Sequence, residues 1–328
     1  MEPIVSRGVW IPVCMLVLFS GLPWGGPLPP SPEPAVPVTG LQVNTQDRSA
    51  VIAFYQRFYM ASEGVKPHWT GDVASCDPGT VSAEFNEALL RRINYFRAMA
   101  GVPADVVFSD ELNGKCQQAA LMILANQQLS HSPPPTWICY RAGGAEAVGK
   151  SNLYFSNGNS PSPAFIVDGY IEDPGTDNSS VGHRRWLLFP RQRSMGSGTA
   201  ENGDSANAIW VVGDFTPGPK VRSAWPPAGY VPRRLIFERW SFSYPRADFS
   251  KATVEMMETG RPVTLRIIHA SGRPTRRIDG DNTIVWVPNV PSKGTDGDVT
   301  FRVAVRDVLV DGKPKHFVYE VTAIDVGQ

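Results

Sequence analysis

Residues Asp168–Pro190, DGYIEDPGTDNSSVGHRRWLLFP, decide how this chain is read, because the text changes character across them. Before this stretch apolar residues recur at three and four, the period of helices with one buried face. After it, short apolar and alternating runs read as strands. The same stretch sets His183 between upstream acids, Glu172 among them, and a Trp-Leu-Leu anchor. A second isolated histidine, His131, stands in LSHSPPP, and the chain has five histidines in all.

Working back from this stretch, Pro163–Glu172 reads as a short helix with proline in its first turn, where helices tolerate it. Ser109, followed by Asp110 and Glu111, caps a helix whose stripe is Leu112, Cys116, Ala119, Ala120 and Ile123. Ser82 caps another, with Phe85, Leu89, Ile93 and Phe96 on one face and a stop at Gly101 and Pro103. Val51, Phe54, Tyr55 and Phe58 predict a helix from about Gln46 to Ser62, with Asp47 near its start.

Working forward, MGSGTA and NAIWVVGDF are strand-like, so the first half reads as helices packed on a small sheet. TPGPKVRSAWPPAGYVP is dense in proline and glycine and marks a boundary near residue 220. Beyond it, alternation predicts strands at Thr253–Met257, Val263–Ile268, Thr283–Val287, Val299–Val305 and Phe317–Ala323, the pattern of an immunoglobulin-like β-sandwich. Asp279-Gly280-Asp281 and Asp296-Gly297-Asp298 read as hairpin turns in preference to calcium corners.

The 328 residues, 42% of them hydrophobic, suffice for two domains with ordinary cores. Formal charge is zero, so nothing in the balance points to nucleic acid. The pairs Arg91-Arg92, Arg184-Arg185, Arg233-Arg234 and Arg276-Arg277 read as solvated surface or local salt bridges. Arg7 and the short apolar run from Val9 have the layout of an export signal, too short to span a bilayer once folded. Residues 1–26 are therefore expected to be a signal peptide or N-terminal anchor and 27–45 a Pro-rich linker, with no further membrane segment. The product would be secreted, periplasmic or held at the cell envelope.

Cysteine usage fits that compartment. Beyond the leader stand Cys76 and Cys139, both in turn-rich text, and Cys116 on the apolar face of a helix. One bridge between Cys76 and Cys139 and one buried thiol is the expected arrangement. The bridge would stabilise by about 4 kcal/mol on the chain-entropy view.

His131, Glu172 and His183 all fall at the ends of predicted elements, where side chains from different segments can converge. Two imidazoles and a carboxylate are a plausible zinc set with a vacant position. No G-x-S-x-G elbow, H-E-x-x-H helix, phosphate-binding loop or C-x-x-C pair is present.

From about Ser82 to Phe215 the chain resembles the CAP superfamily, the SCP-like extracellular domains of cysteine-rich secretory, antigen 5 and pathogenesis-related proteins. The resemblance is carried by FNEALLRRINYFRAMAGVP, LSHSP, DGYIEDPG, VGHRRWLLFPRQRSMGSGTA and AIWVVGDF, with HRRWLL in the form of bacterial members. It implies a CAP-like α-β-α sandwich, placed over 46–219 with its core at 82–215; together with the β-sandwich read from alternation over 220–328, the expected fold class is α+β. It also implies a cleft in which His131 and His183 are the two family histidines and Glu172 one of two acids. The other acid is replaced: where the family has Gly-Glu-Asn, this chain has Lys150-Ser151-Asn152, so Asn152 matches and Ser151 does not. These expectations favour a non-catalytic binding module whose cleft holds a metal or a small ligand, including a lipid. The alternative is a zinc-dependent hydrolase of peptide or ester bonds, with zinc on His131 and His183.

Overall fold

The computed structural model of the chain describes residues 39–158, 161–213, 220–273, 280–290 and 297–327. The expected signal at 1–26, most of the linker, Arg276-Arg277, Asp279 and Asp296 lie outside the described residues. Residues 39–45, assigned to the linker on sequence, lie against the body. Leu41 N donates to Ala104 O at 3.1 Å, Ala104 N to Thr39 O at 2.9 Å, and Tyr230 N to Thr45 O at 2.7 Å.

Helix α1 (Arg48–Phe54) is capped by Asp47, whose carboxylate accepts from Ser49 N and Ala50 N. It continues through a π turn at Tyr55–Tyr59 and a 3-10 turn at Met60–Ser62. The π turn adds a residue to the local period, so Tyr59 is fully buried while Phe58 is only partly so. Helix α2 (Ala83–Met99) is capped by Ser82 Oγ on Phe85 N. β1 (Val107–Phe108) leads into α3 (Asp110–Asn126), where Ser109 takes the cap position without a side-chain bond. α4 (Ala142–Val148), invisible in the Gly-Gly text, precedes β2 (Ser151–Ser156). α5 (Pro163–Glu172) has the expected bounds. His183 lies in a short helix that the sequence did not announce, α6 (Gly182–Leu187), where Asp173 accepts from the backbone N–H groups of His183 and Arg184.

β3 (Ser194–Glu201) and β4 (Ser205–Trp210) complete a four-stranded sheet of order β1-β3-β4-β2, with β1–β3 parallel and the other pairs antiparallel. One face packs on α3 and α4 through Cys116, Ala119, Ala120, Ala206, Ala208 and Trp210. The other face packs on α2, α5 and α6 through Ile93, Phe96, Ile166, Leu187, Met195 and Ile209. A three-layer α-β-α arrangement results. Close approach of α3 needs glycine in β3: a Cβ at Gly198 would lie 2.2 Å from Cys116 backbone carbon, and one at Gly196 2.5 Å from Leu112.

The remaining strands are β5 (Ser223–Trp225), β6 (Gly229–Pro232), β7 (Trp240–Ser243), β8 (Ala247–Asp248), β9 (Thr253–Glu258), β10 (Arg261–Val263), β11 (Leu265–Ala270), β12 (Thr283–Pro288), β13 (Val299–Val310) and β14 (Lys313–Ile324). One sheet runs β10-β9-β13-β14-β6, with β8 on β13, and the other β11-β12-β7-β5. The expected strand Val263–Ile268 is divided, β10 and β11 belonging to different sheets, because the chain crosses between them at Thr264. β13 and β14 form a long hairpin with Val310 opposite Lys313 across Asp311-Gly312, both at positive φ, the conformation that this turn pair favours. β6 pairs with β14 in parallel, whereas the other strand pairs of these two sheets are antiparallel. Trp240, Phe242, Ile284 and Trp286 from one sheet meet Met256, Phe301, Val303 and Tyr319 from the other in a common core.

Alternation lets these strands serve two cores. Ala224, Val231 and Ala323 face the sandwich interior, while Trp225, Tyr230 and Ile324 enter or flank the first core. Trp225 is fully buried against Phe96, with ring centroids 5.0 Å apart, and donates from Nε1 to Leu235 O.

Candidate functional site

A cleft of about 570 Å³ opens along α5. Leu153 and Tyr154 of β2, Phe165 and Ile166 of α5, and Phe237 give it apolar walls, and Phe165 is 49% exposed. Polar groups enter at Asp168, Glu172, Asp173, His183 and Arg234. Arg234 and Phe237 come from beyond residue 220, so both halves of the sequence build this cleft.

At one end, α5 terminates when Asp173 turns left-handed at φ 54°. That conformation is uncommon for a residue with a Cβ, and here it aims the carboxylate at α6. Oδ2 accepts from His183 N at 2.9 Å, and Oδ1 accepts from His183 Nδ1 at 2.8 Å. Asp173 is fully buried, whereas the His183 side chain keeps 26% of its surface. With Nδ1–H directed at the carboxylate, Nε2 is the ring nitrogen left for a ligand. Tyr170 packs on the imidazole at 5.4 Å, and Asn152 Nδ2 donates to His183 O at 3.1 Å.

The predicted residues are distributed unevenly. Glu172 lines the cleft but is exposed, and the carboxylate set against His183 is that of its neighbour Asp173. Asn152 supports His183 from below, while Ser151 faces the opposite helix layer, its Oγ 3.9 Å from Cys116 Sγ. His131 is exposed, is not among the cleft-lining residues, and is oriented by Val148 O, 2.6 Å from Nδ1. Among the described residues no group of three or more His, Cys, Asp or Glu side chains is placed to hold a metal ion. Two oriented imidazoles fall short of the three protein ligands usual for catalytic zinc, so no hydrolytic step is derived through that metal. Asp173 was missed because an acid before Pro-Gly reads as a turn former. Its signal in the sequence was adjacency to Glu172 and a ten-residue interval to His183.

Two of the arginine pairs read as solvated surface or local salt bridges have a buried member, and of these Arg92 does form salt bridges. Arg92 is fully buried, as is Arg184, because the donors of each guanidinium are engaged by polar groups. Arg92 contacts Asp168 at 3.0 Å, Glu63 at 3.1 Å, Ser62 Oγ at 2.7 Å and Tyr59 O at 2.9 Å, and lies 3.7 Å from the Tyr59 ring centroid. Tyr59 Oη donates to Asp168 Oδ2 at 2.5 Å. Burial raises the Asp168 carboxyl above its ordinary range, with Arg92 opposing that shift. Burial likewise lowers Arg184 to about 10.

Away from the cleft, Cys76 and Cys139 form the expected disulfide, with Cα atoms 5.1 Å apart, and Cys116 is free and buried.

Residues 90–215 match the family model described as CAP: Cysteine-rich secretory protein family. No curated protein matches the chain.

Proposed function

We propose, from the premise that residues 90–215 make this chain a member of the CAP superfamily, that it is an exported binding module. Its ligand is a small, largely apolar molecule with one polar end, a class that includes lipids. The carrying observation is the form of the cleft: apolar walls from Leu153, Tyr154, Phe165, Ile166 and Phe237, with His183 and Arg234 among its polar groups. Pockets of this size and lining bind small molecules through apolar burial, with a few polar groups fixing orientation. The disulfide is consistent with export. The segment between β6 and β7 completes the cleft with Arg234 and Phe237.

Organic extraction of the purified protein followed by mass spectrometry should recover a stoichiometric apolar ligand. Phe165→Asp should abolish its retention and His183→Ala should weaken it about tenfold, the value of one good hydrogen bond. Recovery of no ligand, together with no binding of cis-parinaric acid or anilinonaphthalene sulfonate, would reject the reading.

Zinc as the bound ligand is a second reading. It is favoured by the Nδ1 contacts of His131 and His183, which leave both Nε2 atoms as donors. Calorimetric zinc binding that disappears in both His131→Ala and His183→Ala supports it, and heat unchanged by either substitution removes it.

A further inference from the structure

The C-terminal end of α5 leaves carbonyls that its own hydrogen bonds cannot satisfy. One guanidinium takes the last carbonyls of α5 and a second takes those of the turn that follows it. Arg184 donates from Nε to Ile171 O at 2.5 Å and from Nη2 to Glu172 O at 3.1 Å. Its Nη1 reaches Ser241 Oγ on β7 at 2.9 Å. Arg239, immediately before β7, donates from Nη1 to Asp173 O and to Asn178 O, the latter at 3.1 Å, and from Nη2 to Gly175 O at 2.5 Å. The turn that carries Asp173 is thus gripped at three carbonyls by one side chain from beyond residue 220. Two of its residues need that grip: Asp173 at φ 54° and Gly175 at φ 93° both leave the helical conformation of α5.

We propose that Arg239 is a positioning residue for the Asp173–His183 pair, assisted by Ser241 acting through Arg184. The C-terminal sheets then determine which nitrogen of His183 faces the cleft. Arg239 touches neither the imidazole nor the carboxylate. It fixes the left-handed turn from which the carboxylate reaches the ring, and a planar fork of donors suits three carbonyls in a way that a single ammonium does not. The inference rests on the reading of His183 as a ligand-facing group, but its test needs no ligand.

Long-range proton–nitrogen NMR of the imidazoles in the full chain at alkaline pH reads the tautomer directly. Wild-type His183 should show a single Nδ1–H form with a slowly exchanging proton. Arg239→Ala should give mixed tautomers and exchange faster by about tenfold, as expected for loss of a supported hydrogen bond. Arg239→Lys should fall between, and Ser241→Ala should move the signal in the same direction. His131, held by Val148 O, is the internal reference and should not change. If Arg239→Ala does not fold, Arg239→Lys and Ser241→Ala carry the test. A wild-type His183 spectrum in the folded variants overturns the proposal. A shifted tautomer with unchanged ligand retention instead overturns the role of His183 in binding and leaves the positioning intact.

Discussion

Asp168 and Cys116 show how burial sets the chemistry of single side chains. The folded state raises the Asp168 carboxyl pKa, chiefly by desolvation, and Arg92 partly offsets this. An acid raised in the folded state loses stability as pH rises through its unfolded range toward its folded value. Arg92→Met removes the opposing cation, so its cost should be small near pH 4 and grow to about 3 kcal/mol at pH 7, the scale for breaking a buried pair. Urea denaturation at both pH values checks the sign; equal cost at both would show that Asp168 keeps its proton throughout. Cys116, pushed up to about 12 by burial, should react with a thiol reagent at neutral pH only as fast as the protein opens. Rapid labelling without denaturant would contradict its placement. Both behaviours depend on neighbours far away in sequence, so the sequence showed Cys116 on an apolar helical face but gave no hint that Arg92 is buried.

At the scale of elements, β3 and α3 lie as close as backbone allows. Gly198→Ala would drive a methyl group into Cys116 backbone, and neither neighbour is a flexible side-chain end that can move aside. The expected loss is about 3 kcal/mol, the upper part of the range for overpacking, read as a lowered midpoint in thermal or urea unfolding. Gly203, at a turn with open space around it, is a comparison site of a different kind: its cost on substitution would come from its φ of 103°. Helices α1, α2, α3 and α5 were legible because each carries a local signal of cap and period, whereas α4 and α6 carry none. Ser82 and Ser162 cap as their side chains permit, and Pro163 begins α5 at the expected residue. β5, β6 and β7 were not legible. β5 and β6 lie in the proline- and glycine-rich text that reads as a boundary, β7 is only four residues long, and pairing with β7, β14 and β12 makes strands of them.

For the whole molecule, the two cores interlock. Trp225, Leu235 and Ile324 belong to the core that also contains Phe96 and Ile166. A fragment ending at residue 220 would lack all three and would expose the surfaces they cover. It should show markedly reduced thermal stability, since deleting one large buried side chain alone costs about 3–5 kcal/mol, and it should be digested rapidly by protease under native conditions. A fragment as stable and as resistant as the full chain would show that the first core closes by itself. The fragment would also lack Arg234 and Phe237 from the cleft and Arg239 from the turn beneath it. The first core therefore draws on residues beyond the boundary read near residue 220.

What the sequence by itself determined was whatever local physics encodes: helix periods and their caps, the alternation of the later strands, the choice of Cys76 and Cys139 over Cys116, and the motifs by which residues 90–215 match the CAP family model. What only the tertiary structure decided was convergence. It chose Asp173 over exposed Glu172 as the partner of His183, because a left-handed turn after α5 directs one carboxylate inward and leaves the other in solvent. It also turned Ser151 toward α3 and brought Arg239 beneath the site. Those outcomes depend on which residues meet across long separations in the chain, and no local period or spacing records them.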